Sequence, residues 1–410
     1  MQKKIIALAI ASLSGVAFAQ SSNVTIYGVA DATFDVIGVS GGSAALKANT
    51  PSFTRVSTNG SRLGVKGTEN LGNGLTALFQ FESNANFDTG GALGTSRDSF
   101  VGLSGDFGRI ILGNLSGPSR TLTAKLDVNA GNDGIGTNYA IVGKLGGALA
   151  RGGAGYFGGT YLAPTAYAQG KNRSETTSSL FDTRFHNTIA YITPTLSGLQ
   201  ATLAYVANEN KSDAAGAKVN STGYDLGLTY TNGPLFIGAT YAQVKDRNAV
   251  SVAGLLPAVY FSGDAQATEW RLGGLYDFGV ATLRLFYGHT KGEDSNGDAT
   301  QNVWGLGGTY NVTANGKLTA QYYTAGDLNI SSGWLGGGSD KDTGARFFSL
   351  GYEHSLSKRT LLKANYAYLK NDDKTSSNGF GGYDFGKNSS GFAGDELKLS
   401  GLQVGLRHSF

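Results

Sequence analysis

The chain has 410 residues, with 63 Gly, 6 Pro, 21 Phe, 20 Tyr and no Cys, and 15% of its residues are charged. The low charge and the many aromatic residues exclude an intrinsically disordered protein, and the absence of Cys excludes a disulfide-stabilised scaffold. The formal net charge of +3 is too small to indicate a nucleic-acid partner, and the basic residues form no stripe.

The N-terminal segment has the three features of a secretory signal peptide. Lys3 and Lys4 precede an apolar run that begins at Ile5, and Ala17-Phe18-Ala19 supplies the small residues of a cleavage site. The apolar run is too short to cross a bilayer, and no longer one follows it. We therefore predict that residues 1–19 are removed as a signal peptide and that residues 20–410 form a single domain.

Beyond residue 20, apolar and polar residues alternate with a period of two in segment after segment, which is typical of strands with two different faces. Sixteen strands are predicted, at residues 23–37, 53–68, 75–87, 96–104, 107–115, 183–193, 198–208, 221–231, 234–245, 266–277, 279–290, 301–312, 315–325, 345–354, 359–370 and 398–410.

The connections between these strands alternate between long and short. The eight long ones are residues 38–52, 88–95, 116–182, 209–220, 246–265, 291–300, 326–344 and 371–397. A soluble β-sandwich also alternates apolar and polar residues, but it does not sort its connections by length. Short periplasmic turns and long extracellular loops are typical of outer-membrane barrels, whose closed sheet pairs every backbone group in lipid. We therefore predict an all-β fold, a 16-stranded antiparallel transmembrane β-barrel.

In such a barrel, alternate residues face lipid and lumen, so the parity of each strand assigns its charged residues. A charge on the lipid face costs roughly 2–4 kcal/mol near the membrane midplane, which also favours the lumen for these side chains. The residues assigned to the lumen are Arg62, Lys66, Glu82, Arg271, Arg284, Lys363, Arg407 and, if no bulge interrupts its strand, Arg184.

The third long connection, residues 116–182, is long enough to be functional. Its charged residues are Arg120, Lys125, Lys144, Arg151, Lys171 and Arg173 against Asp127, Asp133 and Glu175. This basic excess and that of the lumen residues favour a pore that prefers anions. Loop acids at the narrowest point would reverse the preference.

Several segments together resemble one family. They are "VTIYGVADATFDV" at 24–36, "SRLGVKGTENLGNGLTALFQFES" at 61–83, "FVGLSGDFGRIILG" at 100–113, "FDTRFHNTIAY" at 181–191, "LSKRTLLKANYAY" at 356–368 and the terminal "GLRHSF". In this order the segments resemble the general porins of Gram-negative bacteria, and most closely the beta-proteobacterial type of Burkholderia and Neisseria.

The resemblance implies a homotrimer in the outer membrane, in contact with lipid and lipopolysaccharide, with both termini in the periplasm. It implies that the third long connection folds into the lumen as a constriction, through which ions and small hydrophilic solutes diffuse passively. Arg62 and Arg97 match arginines that face loop acids in this family, although the parity of Arg97 is open. Asn114 departs from the pattern, because the family usually has an arginine there.

The C-terminal segment "LSGLQVGLRHSF" is a strict alternation. Leu402, Val404, Leu406, His408 and Phe410 are expected to face lipid, and the strand is expected to pair with the first one and close the sheet. The resemblance implies that the barrel-assembly machinery recognises the terminal aromatic residue, which makes Phe410 an assembly signal.

Other chemistry has little support in the sequence. The four histidines, at 186, 289, 354 and 408, lie at no metal-ligand spacing, and no Ser/His/Asp set or phosphate-binding loop is present. We therefore expect no enzyme activity, metal or cofactor. Two alternatives remain open: a substrate-preferring channel for a sugar or organic acid that uses Tyr156, Phe157, Tyr161 and Tyr167, and an adhesin that acts through its surface loops.

Overall fold

The computed structural model of the protein is an all-β barrel. It describes residues 23–43, 51–91, 93–129, 131, 133–142, 181–182, 184–207, 220–249, 263–294, 297–331, 341–373, 383–385 and 396–410. The predicted signal peptide and residues 143–180 of the third long connection lie outside these ranges.

The described strands are numbered in chain order. They are β1 (Asn23–Ser40), β2 (Phe53–Thr58), β3 (Arg62–Gly72), β4 (Leu75–Asn84), β5 (Ser99–Gly105), β6 (Gly108–Ser116), β7 (Arg184–Ile192), β8 (Leu199–Val206), β9 (Asn220–Asn232), β10 (Leu235–Ala249), β11 (Gly263–Asp277), β12 (Ala281–Asp294), β13 (Gly297–Asn311), β14 (Gly316–Ala325), β15 (Asn329–Ile330), β16 (Ala345–Ser355), β17 (Thr360–Asn371) and β18 (Lys398–Ser409). Among the described residues between β6 and β7 are an α-helix, α1 (Pro118–Leu126), and a 3₁₀ turn, Asn138–Ala140.

The eighteen segments make sixteen barrel strands. Strands β2 and β3 both pair with β1 and are separated only by residues 59–61, so they are two parts of one barrel strand. Strand β15 likewise continues β14, because both pair with β13. Strand β18 pairs with β1 over twelve residue pairs and closes the sheet. The prediction of a closed, 16-stranded antiparallel barrel is confirmed.

The structure differs from the prediction of a long connection at residues 291–300. Strand β12 continues to Asp294 and β13 begins at Gly297, so only two residues separate them. Cross-strand pairing holds this polar hairpin beyond the apolar band, and the Lys291 ammonium lies 2.5 Å from the Glu293 carboxylate. Its sequence resembles a loop because both of its faces are polar.

The two faces of the barrel have opposite polarity. On β18, Val404 is 51% exposed on the outside, whereas the neighbouring Gln403 is fully buried inside. The same alternation runs along β11, where Leu272 faces outward and Arg271 inward. Parity therefore assigns the faces correctly where the strand is regular. In the described part of the chain, no helix is both long and apolar enough to cross a membrane.

The main apolar cluster lies inside the barrel. Leu122, Leu126, Ile135 and Ile141 of the third long connection pack against inward side chains of the wall, among them Phe286, Tyr323, Phe347, Leu369 and Leu399. The described part of this connection, residues 117–129, 131, 133–142 and 181–182, thus lies in the lumen, as predicted. We call residues 118–142 the inner loop.

Candidate functional site: the narrowed lumen

The inner loop begins with helix α1, which lies against the wall by one face. Pro118 occupies the first turn, where backbone N–H groups have no partner within the helix, so the missing N–H of proline costs no helical hydrogen bond. The buried side chains Ser119, Leu122, Thr123 and Leu126 follow the three-to-four-residue spacing of one helical face. The opposite face, with Arg120 and Lys125, is left towards the pore.

Inward-facing glycines of the wall provide the space for this packing. A Cβ atom at Gly227 would lie 2.5 Å from Pro118, and one at Gly238 would lie 2.6 Å from Leu122. Gly273, Gly307 and Gly401 contact Leu126, Val128 and Ile135 in the same way. These five glycines, here called the glycine seats, place the inner loop along strands β9 to β18 and leave the pore on the side of β1 to β8.

Asp127, at the end of α1, holds the next turn of the inner loop. Its carboxylate accepts hydrogen bonds from the backbone N–H of Asn129 at 2.8 Å and of Asn138 at 2.7 Å. Burial raises the pKa of Asp127 to about 6, although these donors and Arg284 favour the ionised form. Arg284, on β12, donates to the backbone carbonyl of Asp127 and is itself only half-buried.

The tip of the inner loop contacts the wall at the interruption between β2 and β3. The carboxylate of Asp133 packs directly on Gly60, and Gly131 and Gly134 contact the side chains of Arg407 and Gln403. Gly131 and Gly134 have φ angles of +80° and +96°, a left-handed conformation that favours glycine. The tip therefore places one acid, Asp133, beside the basic wall.

That wall carries a chain of arginines. Arg62 lies 3.5 Å from the Glu82 carboxylate, which Arg97 also contacts, while the Tyr27 hydroxyl donates to Glu82 at 2.9 Å. Arg62 is within electrostatic range of Arg97, Arg407 and the loop acid Asp133. Arg97, whose parity the sequence leaves open, thus lies with the lumen charges.

Asn114 has a structural part in this arrangement. Its side-chain amide donates to the backbone carbonyl of Arg97 at 3.0 Å and to that of Thr95 at 3.4 Å. Where the resemblance leads one to expect a wall arginine, an amide therefore fixes the backbone from which Arg97 extends.

The parity argument for Arg184 does not hold, because a bulge does interrupt β7. Asn187 has a φ of +52°, and the register with β6 shifts there. Arg184 nevertheless joins the charged group, since its guanidinium binds the Asp98 carboxylate at 3.0 Å and is within electrostatic range of Arg97 and Arg120. Although burial opposes ionisation of Asp98, Arg184 and the Ser116 donors hold its pKa below the ordinary value.

Two predicted lumen cations are tied to one buried acid. The Lys363 ammonium lies 2.7 Å from Asp31, and the Arg407 guanidinium lies 3.2 Å from the same carboxylate. Asp31 is fully buried, and Lys363 is almost so, whereas Arg407 retains some exposure. Lys363 therefore faces inward but offers little charge to passing solutes.

Arg271 also faces inward, but the inner loop covers it completely. Its side chain has no exposed surface and binds Asp182 with both of its terminal nitrogens, at 2.6 and 2.7 Å. Arg120 donates to the backbone carbonyl of Asp182 and lies over the ring of Tyr139, 5.4 Å from the ring centroid. The predicted pore-lining residues thus divide into a buried group and a water-facing group.

Sequence parity finds Lys66 in the water-facing group, and two further members appear only in the structure. Lys66 is exposed and lies 5.0 Å from the ring centroid of Tyr27. Arg109, on β6 beside the outward Ile110, and Lys125, on the pore side of α1, are exposed as well. The alternation around Ile110 is the signal that would have identified Arg109.

The C-terminal residue completes the seam between β18 and β1. The backbones of Phe410 and Gly28 exchange two hydrogen bonds of 3.1 Å. The ring of Phe410 covers Gly28, where a Cβ would overlap it, and is 51% exposed on the outer face.

A closed β-barrel with an apolar outer face, a polar lumen and an inner loop narrowing that lumen defines a membrane channel of the outer-membrane porin class. The sequence matches the Gram-negative porin family over residues 6–374, and the chain belongs to that family. It is therefore an outer-membrane protein that allows passive diffusion.

Two curated relatives match along their whole length. Outer membrane porin protein 32 of Delftia acidovorans is 32% identical, and an outer membrane porin of Bordetella pertussis is 30% identical; each comparison covers 100% of both chains. Among solved structures, an anion-selective porin from Comamonas acidovorans superimposes with a TM-score of 0.71 at 28% identity, covering 95% of this chain and 100% of the other.

Some predictions fall on residues that the structure does not describe. The signal peptide, the loop cations Lys144, Arg151, Lys171 and Arg173, the loop acid Glu175, and the aromatic set Tyr156, Phe157, Tyr161 and Tyr167 are among them.

Proposed function

We propose that this porin prefers anions among the ions and small hydrophilic solutes that diffuse through it. The observation that carries the proposal is the unequal pairing of charges in the described lumen. Five inward acids, Asp31, Asp35, Glu82, Asp98 and Glu353, each lie within 3.5 Å of an Arg or Lys. Four others, Asp127, Asp182, Asp225 and Glu269, are buried away from the water of the pore. The cations Lys66, Arg109 and Lys125 face water and have no ion-pair partner there.

Pairing matters because an ion in the pore responds to the charge left over after neighbouring charges cancel. Asp133 is the acid that reaches into the arginine chain, and Arg62, Arg97 and Arg407 surround its position. The surplus at the constriction is therefore positive. The solved Comamonas relative, which is anion-selective, agrees with this sign.

The test is the reversal potential of the purified protein in a planar bilayer under a KCl gradient. We expect a sign that corresponds to chloride permeating faster than potassium, and an excess that falls at high salt because screening shortens the range of the lumen charges. A reversal potential of the opposite sign would refute the charge assignment.

We also propose that three copies assemble into a trimer through one side of the barrel. The outward positions of β7 to β17 include the interfacial residues Tyr205, Tyr241, Trp270, Tyr276, Trp304, Tyr310, Tyr322 and Tyr366. On β18 and β1 to β6, the described outward side chains include no Tyr or Trp; large exposed examples are Ile26, Phe34, Phe81, Val101, Leu112 and Val404.

Tyr and Trp form belts where a barrel meets the two membrane–water interfaces. An arc without them is suited to contact with another subunit rather than with lipid headgroups. The outer membrane protein OmpT of Vibrio cholerae, solved in a trimer form, shares this fold, with a TM-score of 0.60 at 16% identity. Placing a charge in the arc, as in Phe81→Lys, should convert the trimer to monomers on mild-detergent gels, whereas Leu272→Lys on the opposite arc should not.

Three further proposals concern assembly. Residues 1–19 act as the signal peptide, the Tyr- and Trp-bearing arc contacts lipid and lipopolysaccharide, and the assembly machinery binds β18 with Phe410. The exposed ring of Phe410 at the seam supports the last proposal. Deleting Phe410 should lower the yield of assembled barrel far more than the conductance of the barrels that do form; normal assembly would contradict it.

A further inference from the structure

Arg271 occupies a position that differs from that of every other predicted lumen arginine. It extends from β11 into a fully buried space beneath α1 and has no exposed surface. Its two terminal nitrogens bind Asp182, which lies two positions before the start of β7 and ends the third long connection. The same guanidinium reaches the other end of that connection.

At that other end, Arg271 donates to the backbone carbonyl of Ser119 at 3.0 Å and also contacts the Thr123 hydroxyl. Both residues belong to α1, which begins the inner loop. One side chain of the wall thus joins the first turns of the connection to its last residue; Arg120 and Asp182 are 62 positions apart in the sequence.

A second wall residue strengthens the same junction. The Asp225 carboxylate, on β9, accepts hydrogen bonds from the Ser119 N–H at 3.0 Å and from the Ser119 hydroxyl at 2.8 Å. A carboxylate at this place also faces the positive end of the helix dipole. Glu269 contacts Arg271 from the side and accepts from Thr290 at 2.6 Å, which fixes the guanidinium in its plane.

We propose that Arg271 is the positioning residue of the constriction: it fastens both ends of the third long connection to the barrel wall and so determines where the pore narrows, without itself contributing charge to the ion path. The chemistry suits an arginine, because its planar fork binds the two Asp182 oxygens while a nitrogen remains directed at α1. Lysine has a single ammonium and no fork.

Asp182 and Glu269 contact the guanidinium and Asp225 lies at the same junction, so buried carboxylates compensate its charge locally. Asp182, Asp225 and Glu269 are each 2% exposed or less. The charge that Arg271 offers to the pore is therefore small, in contrast to Arg284 on the next strand, which is partly exposed to the lumen. Arg284 is the matched control, since it is also an inward arginine that contacts the inner loop.

The experiment compares Arg271→Met, Arg271→Lys and Arg284→Met in planar bilayers, after heat-modifiable gel migration has verified folded barrels. For Arg271→Met we expect open-channel current fluctuations at least threefold larger than in the wild type and a changed size limit for neutral polymers, with the chloride-to-potassium permeability ratio altered less than by Arg284→Met. Arg271→Lys should show the same fluctuations in weaker form. Arg284→Met should change the permeability ratio with quiet currents.

If Arg271→Met does not fold, Asp182→Asn supplies the second test, because it retains Arg271 and weakens only the bidentate contact; it should show the same increase in fluctuations. Quiet currents with a wild-type polymer limit in every folded variant of Arg271 and Asp182 would overturn the proposal. A permeability change in Arg271→Met as large as in Arg284→Met, without added fluctuations, would instead make Arg271 a selectivity charge. The fluctuation and polymer measurements do not depend on the sign of ion preference, so a cation-preferring wild type would refute the proposed anion preference and leave this test intact.

Discussion

Replacing Lys66 by Gln tests the origin of the ion preference most directly. The ammonium is exposed in the lumen and lies over Tyr27 without a carboxylate partner, so removing its charge exposes no buried acid. An anion that passes about 5 Å from a unit charge in a water-filled pore gains about 0.8 kcal/mol, and screening by 0.1 M salt reduces this to about 0.5 kcal/mol. That energy corresponds to about a twofold change in local anion concentration.

The same charge repels potassium by an equal energy, so the permeability ratio changes by the square of this factor. We therefore expect Lys66→Gln to lower the chloride-to-potassium permeability ratio by about fivefold and Lys66→Glu by about thirtyfold, measured as reversal potentials in a KCl gradient. Lys358→Gln is the matched control, because Lys358 is exposed on the turn between β16 and β17 and lies outside the narrowed lumen. Equal effects of the two Gln variants, or no effect of Lys66→Gln, would refute the reasoning that local unpaired charge determines selectivity.

Three other predictions concern the wall and the inner loop. Asp31→Asn should destabilise the barrel by about 3–5 kcal/mol, seen as a lower unfolding temperature on gels, because it leaves Lys363 buried without a counter-charge. The control Asp106→Asn, on an exposed turn, should leave the unfolding temperature unchanged, and equal stability of the two variants would contradict the prediction. Gly238→Ala should push Leu122 about 0.8 Å into the lumen, because its distance from the new Cβ must grow from 2.6 Å to the 3.4 Å of ordinary contact, and should reduce single-channel conductance. The control Gly274→Ala, whose Cβ meets only Phe236 at 3.6 Å, should leave the conductance unchanged, and wild-type conductance in Gly238→Ala would argue against the glycine seats. As pH falls through about 6, Asp127 takes up a proton and the lumen loses a negative charge, so the anion preference should rise modestly in the wild type. Asp127→Asn should show no such rise, and the same pH dependence in that variant would mean that another group causes it.

Alternation alone was enough to predict the barrel, because lipid and water impose opposite polarity on the two faces of every strand. It failed where the backbone leaves the regular pleat. The left-handed Asn187 shifts the register between Arg184 and the regular part of β7. The interruption at residues 59–61 turns inward polar groups whose direction parity cannot predict.

The lumen charges were harder to interpret, because parity reports direction and not coverage. Arg62 and Arg271 both alternate inward, but only the fold of the inner loop shows that Arg271 is covered and Arg62 is not. The glycine seats left a signal in the sequence, since Gly227, Gly238 and Gly273 occupy inward positions of neighbouring strands. The inner-loop residues that pack on these glycines could not be predicted from the local sequence pattern, because the contacts are long-range.

The interruption between β2 and β3 has a consequence for the order of assembly. The surface that receives the tip of the inner loop combines Gly60 with Gln403 and Arg407, and the wall bond from Arg407 to Asp31 joins residues 376 positions apart. This surface does not exist until the last strand has joined the first. Contacts between distant parts of a chain form slowly, so the narrow passage is expected to be the final part of the molecule to take shape. A barrel halted before closure would lack the narrow passage, so selectivity depends on the meeting of the two chain ends.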